Sequence, residues 1–299
     1  MAHVREDIVK DRLRSYSSVF SRNVFSAILS YADFSHLNWL LTQYDEDFQA
    51  ESSYMDYLSY IYKQLVRSYR CEYVYKNEII NRLLLRWYGT KNTICFNEFK
   101  VGDSIVDLAM MNGESKAFEI KTTLDSPRRL EKQMRDYKKV FNKCYVVVDV
   151  DECEYYAEHL DVGTGIVALS FSRGRIKLEE YRPAVKKEKI DALTVMKCLR
   201  TNEYEHIVRC LYGQLPSVPA YEMYEACREM LSEVDPTELN NLFLAEVKKR
   251  KSATGRLKGV PMELRQMMLS LNLSPKNEEL LMSKLNNTIN RNRLCITRI

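Results

Sequence analysis

The sequence predicts an α/β core set between helical extensions at both ends. Three observations carry that expectation. A central stretch holds apolar runs of strand length, an Asn112-Gly113 dipeptide sits between two of them, and both flanks repeat apolar residues at helical spacing. The corresponding zones are a helical N-terminal extension at 1–70, a core at 71–182, and a helical C-terminal region with a basic tail at 183–299.

In the first zone, Asp7–Leu29 reads as helical. So does the run Tyr54, Tyr57, Tyr60 and Tyr62 leading to Leu65. That spacing favours a packing face over a base-stacking platform. In the core, Asn77–Trp87 is a short helix, and Thr93–Phe99 and Ser104–Met111 are strand-like. Asn112-Gly113 is the strongest short hairpin signal in the chain, with Ala117–Thr122 as the return strand. Ser126-Pro127 supplies an N-cap and an N1 proline. The helix they start carries an apolar stripe of Leu130, Met134, Tyr137 and Phe141. Cys144–Val150 is a continuous apolar run and reads as a buried strand. The unit 117–150 therefore predicts a right-handed parallel crossover. Gly165–Phe171 and Ile176–Tyr181 form a further hairpin around Ser172-Arg173-Gly174-Arg175. In the last zone, Pro183, Pro216, Pro219, Pro236, Pro261 and Pro275 punctuate helices. Pro261–Leu271 and Pro275–Asn286 fit either a helix-turn-helix or a plain helical hairpin.

Composition narrows the function classes. With 299 residues and 45% apolar content the chain can bury one large core or two modest ones. No stretch approaches the roughly 18 apolar residues of a membrane span. Met1–Asp7 is charged and lacks the apolar core of a secretory signal, so a cytoplasmic protein is expected. None of the 8 cysteines forms a Cys-x-x-Cys pair, which favours buried free thiols over zinc or iron–sulfur ligation. The 4 histidines are scattered, giving no support to a histidine metal site or a Ser-His-Asp triad. Net charge is +4 but uneven: residues 241–299 hold 12 Lys and Arg against 4 Asp and Glu. Lys248, Lys249, Arg250 and Lys251 head that tail as candidates for phosphate contact, or as a solvated helix end.

Phosphodiester hydrolysis needs a cation to neutralise the phosphate, an oriented water, and a positive group beside the reacting atoms. Asp107 lies in the strand before the Asn112-Gly113 turn, with Glu119 and Lys121 in the strand after it. Alternation puts Glu119 and Lys121 on one face and points Ile120 into the core. Asp107, Glu119 and the Ile120 carbonyl then make an oxygen donor set suited to Mg²⁺ or Mn²⁺. Lys121 would stabilise the attacking water or the scissile phosphate. Glu-x-Lys has no weight by itself, since it also occurs at Glu98, Glu114 and Glu246. A buried ion pair or an exposed hairpin edge would explain it equally. Gln133 and Tyr137 are the chain's one Gln-x-x-x-Tyr and share a helix face, with Arg129 a turn earlier. They could orient the water, the lysine or a phosphate; alternatively Tyr137 is core and Gln133 faces solvent. Glu78 could reach the metal from the preceding helix, or merely complement that helix's dipole.

The order helix-Glu78, strand-Asp107, Glu119-x-Lys121, Gln133-x-x-x-Tyr137 resembles the PD-(D/E)XK nuclease superfamily, with a RecB-type Gln-x-x-x-Tyr element. The wording from Asn112 to Val148 is similar to a group of poorly characterised bacterial PD-(D/E)XK-like proteins. The resemblance covers roughly residues 76–182. It implies a restriction-endonuclease-like αβββαβ core and cleavage of DNA or RNA dependent on Mg²⁺ or Mn²⁺. It makes Asp107, Glu119, Lys121, Gln133 and Tyr137 catalytic, and Glu78, Asp107, Glu119 and Ile120 the metal set. Arg129 and Lys248–Lys251 are the nucleic-acid candidates. Val106 stands where the motif's proline would be. The expected function is a nuclease, DNA favoured, in repair, restriction or defence against phage and mobile elements, acting as a homodimer or with an operon partner protein. Two alternatives stay open: a non-cleaving nucleic-acid-binding module and a helical protein–protein adaptor.

Overall fold

Ser21 divides the first helical stretch. It takes extended backbone and accepts the Val24 N–H, so the stretch becomes α1 (Ala2–Val19) and α2 (Arg22–Tyr31). The structure, a computed structural model, describes residues 2–49, 51–123, 125, 127–172 and 175–289. Helix α3 (Ser35–Tyr44) follows, then α4 (Tyr54–Ser68), which opens on a capping box between Ser53 and Asp56. Helix α5 (Glu72–Ile79) runs on into a π-helix at Ile80–Tyr88, so the helix expected at Asn77–Trp87 starts earlier and changes pitch midway. Strands β1 (Ile94–Val101), β2 (Ser104–Met111) and β3 (Ser115–Ile120) come next. A 3₁₀ turn at Pro127–Arg129 leads into α6 (Leu130–Tyr137); the Ser126 cap expected from sequence lies outside the described residues. The order continues with β4 (Lys143–Asp149), α7 (Cys153–His159), β5 (Gly165–Ser172) and β6 (Arg175–Arg182). It ends with α8 (Ala192–Cys198), α9 (Thr201–Tyr212), α10 (Met223–Ser232), α11 (Pro236–Lys248), α12 (Arg265–Leu271) and α13 (Pro275–Leu285).

The protein is thus mixed α/β. Its sheet has six strands in the order β1-β2-β3-β4-β5-β6. β1, β2 and β3 pair antiparallel, whereas β3, β4 and β5 pair parallel. The expected parallel crossover from 117 to 150 is therefore present, with α6 as its helix. The Asn112-Gly113 turn is a three-residue loop that includes Glu114, with Met111 paired to Ser115 across it. Gly113 adopts φ +102°, a conformation side chains resist, and the Asn112 N–H donates to the Glu114 carbonyl. Arg173 and Gly174, where the sequence places the hairpin turn, lie outside the described residues.

The chain divides into two units. One comprises Met1–Asn81, Phe171–Ile176 and Arg256–Ile299; the other comprises Arg82–Ser170 and Lys177–Gly255. In the first unit the tyrosine run is a packing face, as expected: Tyr54, Tyr57 and Tyr62 are buried. Burial obliges their hydroxyls to find partners. Asp45 accepts from Tyr57 at 2.7 Å, Tyr60 at 3.2 Å, Tyr16 at 2.6 Å and Arg12 at 2.6 Å.

In the second unit, α6 and helices α8–α11 contribute with the sheet to a single apolar core. Leu130, Met134, Tyr137 and Phe141 all enter it, beside Ala117 of β3 and Val146 and Val148 of β4. Every residue of β3 is buried. Phe118 belongs to the face away from α6, where its ring stacks on Tyr145 at 5.2 Å. The outer edge of β1 is covered locally by side chains from residues 252–254. Thr254 Oγ1 accepts the Cys95 N–H at 2.9 Å, and Ser252 Oγ donates to the Cys95 carbonyl at 2.8 Å. Among the described cysteines, Cys95, Cys144, Cys153, Cys198 and Cys227 are buried free thiols, Cys71 is half-buried and Cys210 exposed. Among the described residues no helix is long and apolar enough to cross a membrane.

Candidate functional site at the fork of β2 and β3

The β2–β3 ladder runs from Met111↔Ser115 to Leu108↔Phe118. Continuing its register sets Asp107 opposite Glu119, yet there the carboxylate Oδ2 of Asp107 takes the Ile120 N–H at 2.8 Å. A side chain has replaced a backbone rung. On its other flank β2 pairs with β1 at Asn97↔Leu108 and Phe99↔Val106, skipping the rung between Glu98 and Asp107. Glu98 takes φ +57°, a left-handed conformation rare outside glycine, at that skipped rung. β3 meanwhile stays with β4 to the end, pairing Ile120↔Val147, and the Lys121 N–H continues to the Val147 carbonyl. The sheet forks at Asp107, and the fork is where the polar side chains gather.

Alternation along β3 places Glu119 on the face of Ala117, the face covered by α6. Ile120 is buried on the opposite face, so both faces of β3 are interior and Glu119 is not solvent-facing. Glu119 is 3% exposed and Lys121 8%. Lys121 follows the last strand residue and does not lie within the strand, contrary to the expected range Ala117–Thr122.

A carboxylate this buried needs partners, and α6 supplies most of them. Gln133 Nε2 donates to Glu119 Oε1 at 2.6 Å, and Lys121 Nζ reaches the same oxygen at 2.9 Å. Gln133 Oε1 lies 3.3 Å from Lys121 Nζ, so one amide touches both members of the ion pair. Tyr137 Oη is 2.7 Å from Glu119 Oε2 and 2.6 Å from the Ile105 carbonyl. Tyr137 is at once core stripe and site residue, and Gln133 is half-buried on Glu119. Burial pushes the Glu119 carboxyl above its ordinary range, and the charge of Asp107 adds to the rise; Lys121 and Tyr137 oppose it.

The other Glu-x-Lys occurrences have different fates. Glu114 pairs with Lys116 at 2.8 Å and Lys143 at 3.0 Å, and Glu246 pairs with His206 at 2.8 Å and with Lys249. Glu98 occupies the skipped rung. Of the remaining sequence candidates, Arg129 caps the head of α6 with an exposed side chain. Arg250 is held by Glu203 at 2.6 and 2.7 Å; Lys248 and Lys251 are exposed. Glu78 belongs to the first unit. It is wholly buried there and accepts from Tyr62 Oη at 2.7 Å.

Sequence reading missed the Ile105 carbonyl and the bond from Ser104 Oγ to Asp136 at 2.7 Å, both of which tie α6 to β2. A carbonyl leaves no signature in a sequence. The local signal for Asp136 is its place on α6 one residue before Tyr137.

The second unit offers a divalent cation the carboxylates of Asp107 and Glu119. Among the described residues no three His, Cys, Asp or Glu side chains make a metal-holding group. Two carboxylates nonetheless fit Mg²⁺ or Mn²⁺, which retain several waters. The repulsion from Asp107 that raises Glu119 is what a bound cation would relieve.

The family model described as bacteriophage P4 protein cII matches residues 66–260. That span contains every candidate residue named above. Protein cII of Enterobacteria phage P4 is 23% identical over 156 residues, covering 50% of this chain and 55% of that protein. The chain thus spans about half the length of this relative. A solved structure, of a protein of unknown function from Silicibacter pomeroyi, aligns over 41% of this chain and 82% of its own, at 16% identity and a TM-score of 0.27.

Proposed function

The chain belongs to the bacteriophage P4 protein cII family, and we propose that it is a metal-dependent nuclease, hydrolysing phosphodiester bonds of nucleic acid on a restriction-endonuclease-like core, with DNA the favoured substrate. One observation carries the reading. The Glu119 carboxylate is bonded at once by Lys121, Gln133 and Tyr137, at the point of the fork where Asp107 also sits. A purely structural ion pair does not call for a second carboxylate beside it, because like charges in a buried place are costly.

In this reading Asp107, Glu119 and the Ile120 carbonyl hold Mg²⁺ or Mn²⁺. When bound, the ion neutralises charge on the phosphate and lowers the pKa of its water. Lys121 keeps an ammonium beside the attacking water and the scissile phosphate. Gln133 holds Lys121 and Glu119 in register, and Tyr137 fixes Glu119 against β2. The last two are positioning residues.

The test is incubation of purified protein with single- and double-stranded DNA and with RNA, in Mg²⁺, Mn²⁺ or chelator. Metal-dependent products are expected, with Asp107→Asn and Lys121→Ala each losing at least about 100-fold in rate. The reading fails if wild type cuts none of these substrates, or if the variants cut as fast as wild type.

A further inference from the structure

A cavity of about 360 Å³ opens where the start of β1 meets the segment after α11. Lys91, Asn92, Thr93, Lys248, Ser252 and Thr254 are among its lining residues, all in the second unit. Its size is at the low end for small-molecule sites, which run from about 300 to 1,000 Å³, but its lining is polar and no carboxylate contributes to it.

The polar groups divide by how far they are already engaged. Ser252 and Thr254 bond to each other at 2.7 Å and to the backbone of Cys95, so they serve as wall. Arg250 also lines the cavity, but Glu203 matches its charge. Lys91 and Lys248 are exposed and have no ion-pair partner among the described residues. Thr93 is 5% exposed, and its hydroxyl oxygen is buried without a hydrogen-bond partner. Leaving such a group unpaired away from water is unfavourable. Two unmatched ammonium groups and a hydroxyl in need of a partner suit an anion with several acceptor oxygens.

We propose that this cavity is a phosphoryl-group site, in which Lys91 and Lys248 supply the charge and Asn92 and Thr93 supply hydrogen bonds. A phosphate presents acceptor oxygens to both lysines at once. The phosphoryl group belongs either to a nucleic-acid backbone or to a free nucleotide or inorganic phosphate. The assignment divides the basic run Lys248–Lys251 by role. Lys248 faces the ligand, while Lys249 and Arg250 are matched by Glu246 and Glu203. It does not rest on the carboxylate site at the fork.

Calorimetric titration in chelator tests it, with inorganic phosphate, a 5′-mononucleotide and a short single-stranded oligonucleotide as probes. Without metal the result is independent of cleavage. At least one probe is expected to bind wild type. The double variant Lys91→Ala/Lys248→Ala is expected to weaken that probe by at least about 10-fold, and Thr93→Val by about 5-fold, the equivalent of one hydrogen bond. Lys276→Ala, which removes an exposed lysine of the other unit, should change it less than about 2-fold. An oligonucleotide that binds tighter than the mononucleotide identifies backbone phosphate as the ligand; the reverse order identifies a free phosphate compound. The proposal is overturned if wild type binds none of the three probes, or if the double variant binds them as wild type does. The lysine variants change exposed side chains, so they decide the matter even if Thr93→Val folds poorly.

Discussion

Tyr137 Oη stands 2.7 Å from Glu119 Oε2 while also lying 2.6 Å from the Ile105 carbonyl. A phenol has one proton and a carbonyl has none. The single phenol proton is shared between a carboxylate and a carbonyl, so neither acceptor is fully satisfied by it. Burial and the charge of Asp107 push the Glu119 carboxyl above its ordinary range.

The sign of the resulting pH dependence follows from linkage. A carboxyl raised by folding holds its proton more tightly in the native state. Its stabilising contribution is therefore present in acid and is lost as pH rises from the ordinary glutamate value of 4.5 through the native one. Glu119→Gln imitates the protonated form at every pH. Metal-free urea denaturation should show the variant close to wild type in acid and increasingly the more stable of the two toward neutral pH. A difference that stays flat across the range would contradict a raised Glu119 carboxyl.

Metal binding at the fork should be coupled to the titration of Glu119, whose carboxyl is raised. Titration of Mn²⁺ in two buffers of different ionisation enthalpy is expected to reveal proton release. Asp107→Asn should weaken Mn²⁺ affinity by at least about 10-fold. Equal affinity in the variant would remove Asp107 from the donor set.

Tyr137→Phe keeps the ring in the core and deletes the hydroxyl between β2 and β3. It should cost about 1–2 kcal/mol in denaturant titrations. If the nuclease reading holds, it should lower the cleavage rate while leaving the metal requirement intact. Met134→Ala, one turn away, creates a cavity instead and should cost about 2–5 kcal/mol.

Glu203 is 5% exposed and accepts two bonds from Arg250. Although burial raises its carboxyl, Arg250 and the Arg200 N–H hold it below the ordinary range. A depressed carboxyl contributes stability above its ordinary pKa and loses it as pH falls through the native value. Glu203→Ala leaves a guanidinium without its partner in a confined place and should destabilise by about 3–5 kcal/mol, read as a lower urea midpoint. A loss under about 1 kcal/mol would mean that Arg250 swings out to water.

The strands could be read from sequence because burial writes a local pattern. β2 spans Ser104–Met111 as expected, and β4 differs by one residue at each end. The polar quartet at the fork was also legible, since Gln133 and Tyr137 are four apart on a helix and Glu119 and Lys121 two apart along a chain. Illegible were the features set by distant backbone. β3 ends one residue before Lys121 because β4 alone remains beside it. The skipped rung at Glu98 arises in a stretch that reads as ordinary strand. Arg250 looked like a phosphate ligand because Glu203, 47 residues away, is invisible to a local pattern.

The hydroxyls at Ser252 and Thr254 have a consequence for the protein in concentrated solution. β1 is one of the sheet's two edge strands, and an uncovered edge strand is a template on which another chain can grow. At Cys95 the donor and acceptor facing outward are already taken, one by each hydroxyl. These two small side chains act as a stop on edge-to-edge growth. Ser252→Ala combined with Thr254→Val would release it, and the first sign would be rising light scatter from a protein whose strands are otherwise intact.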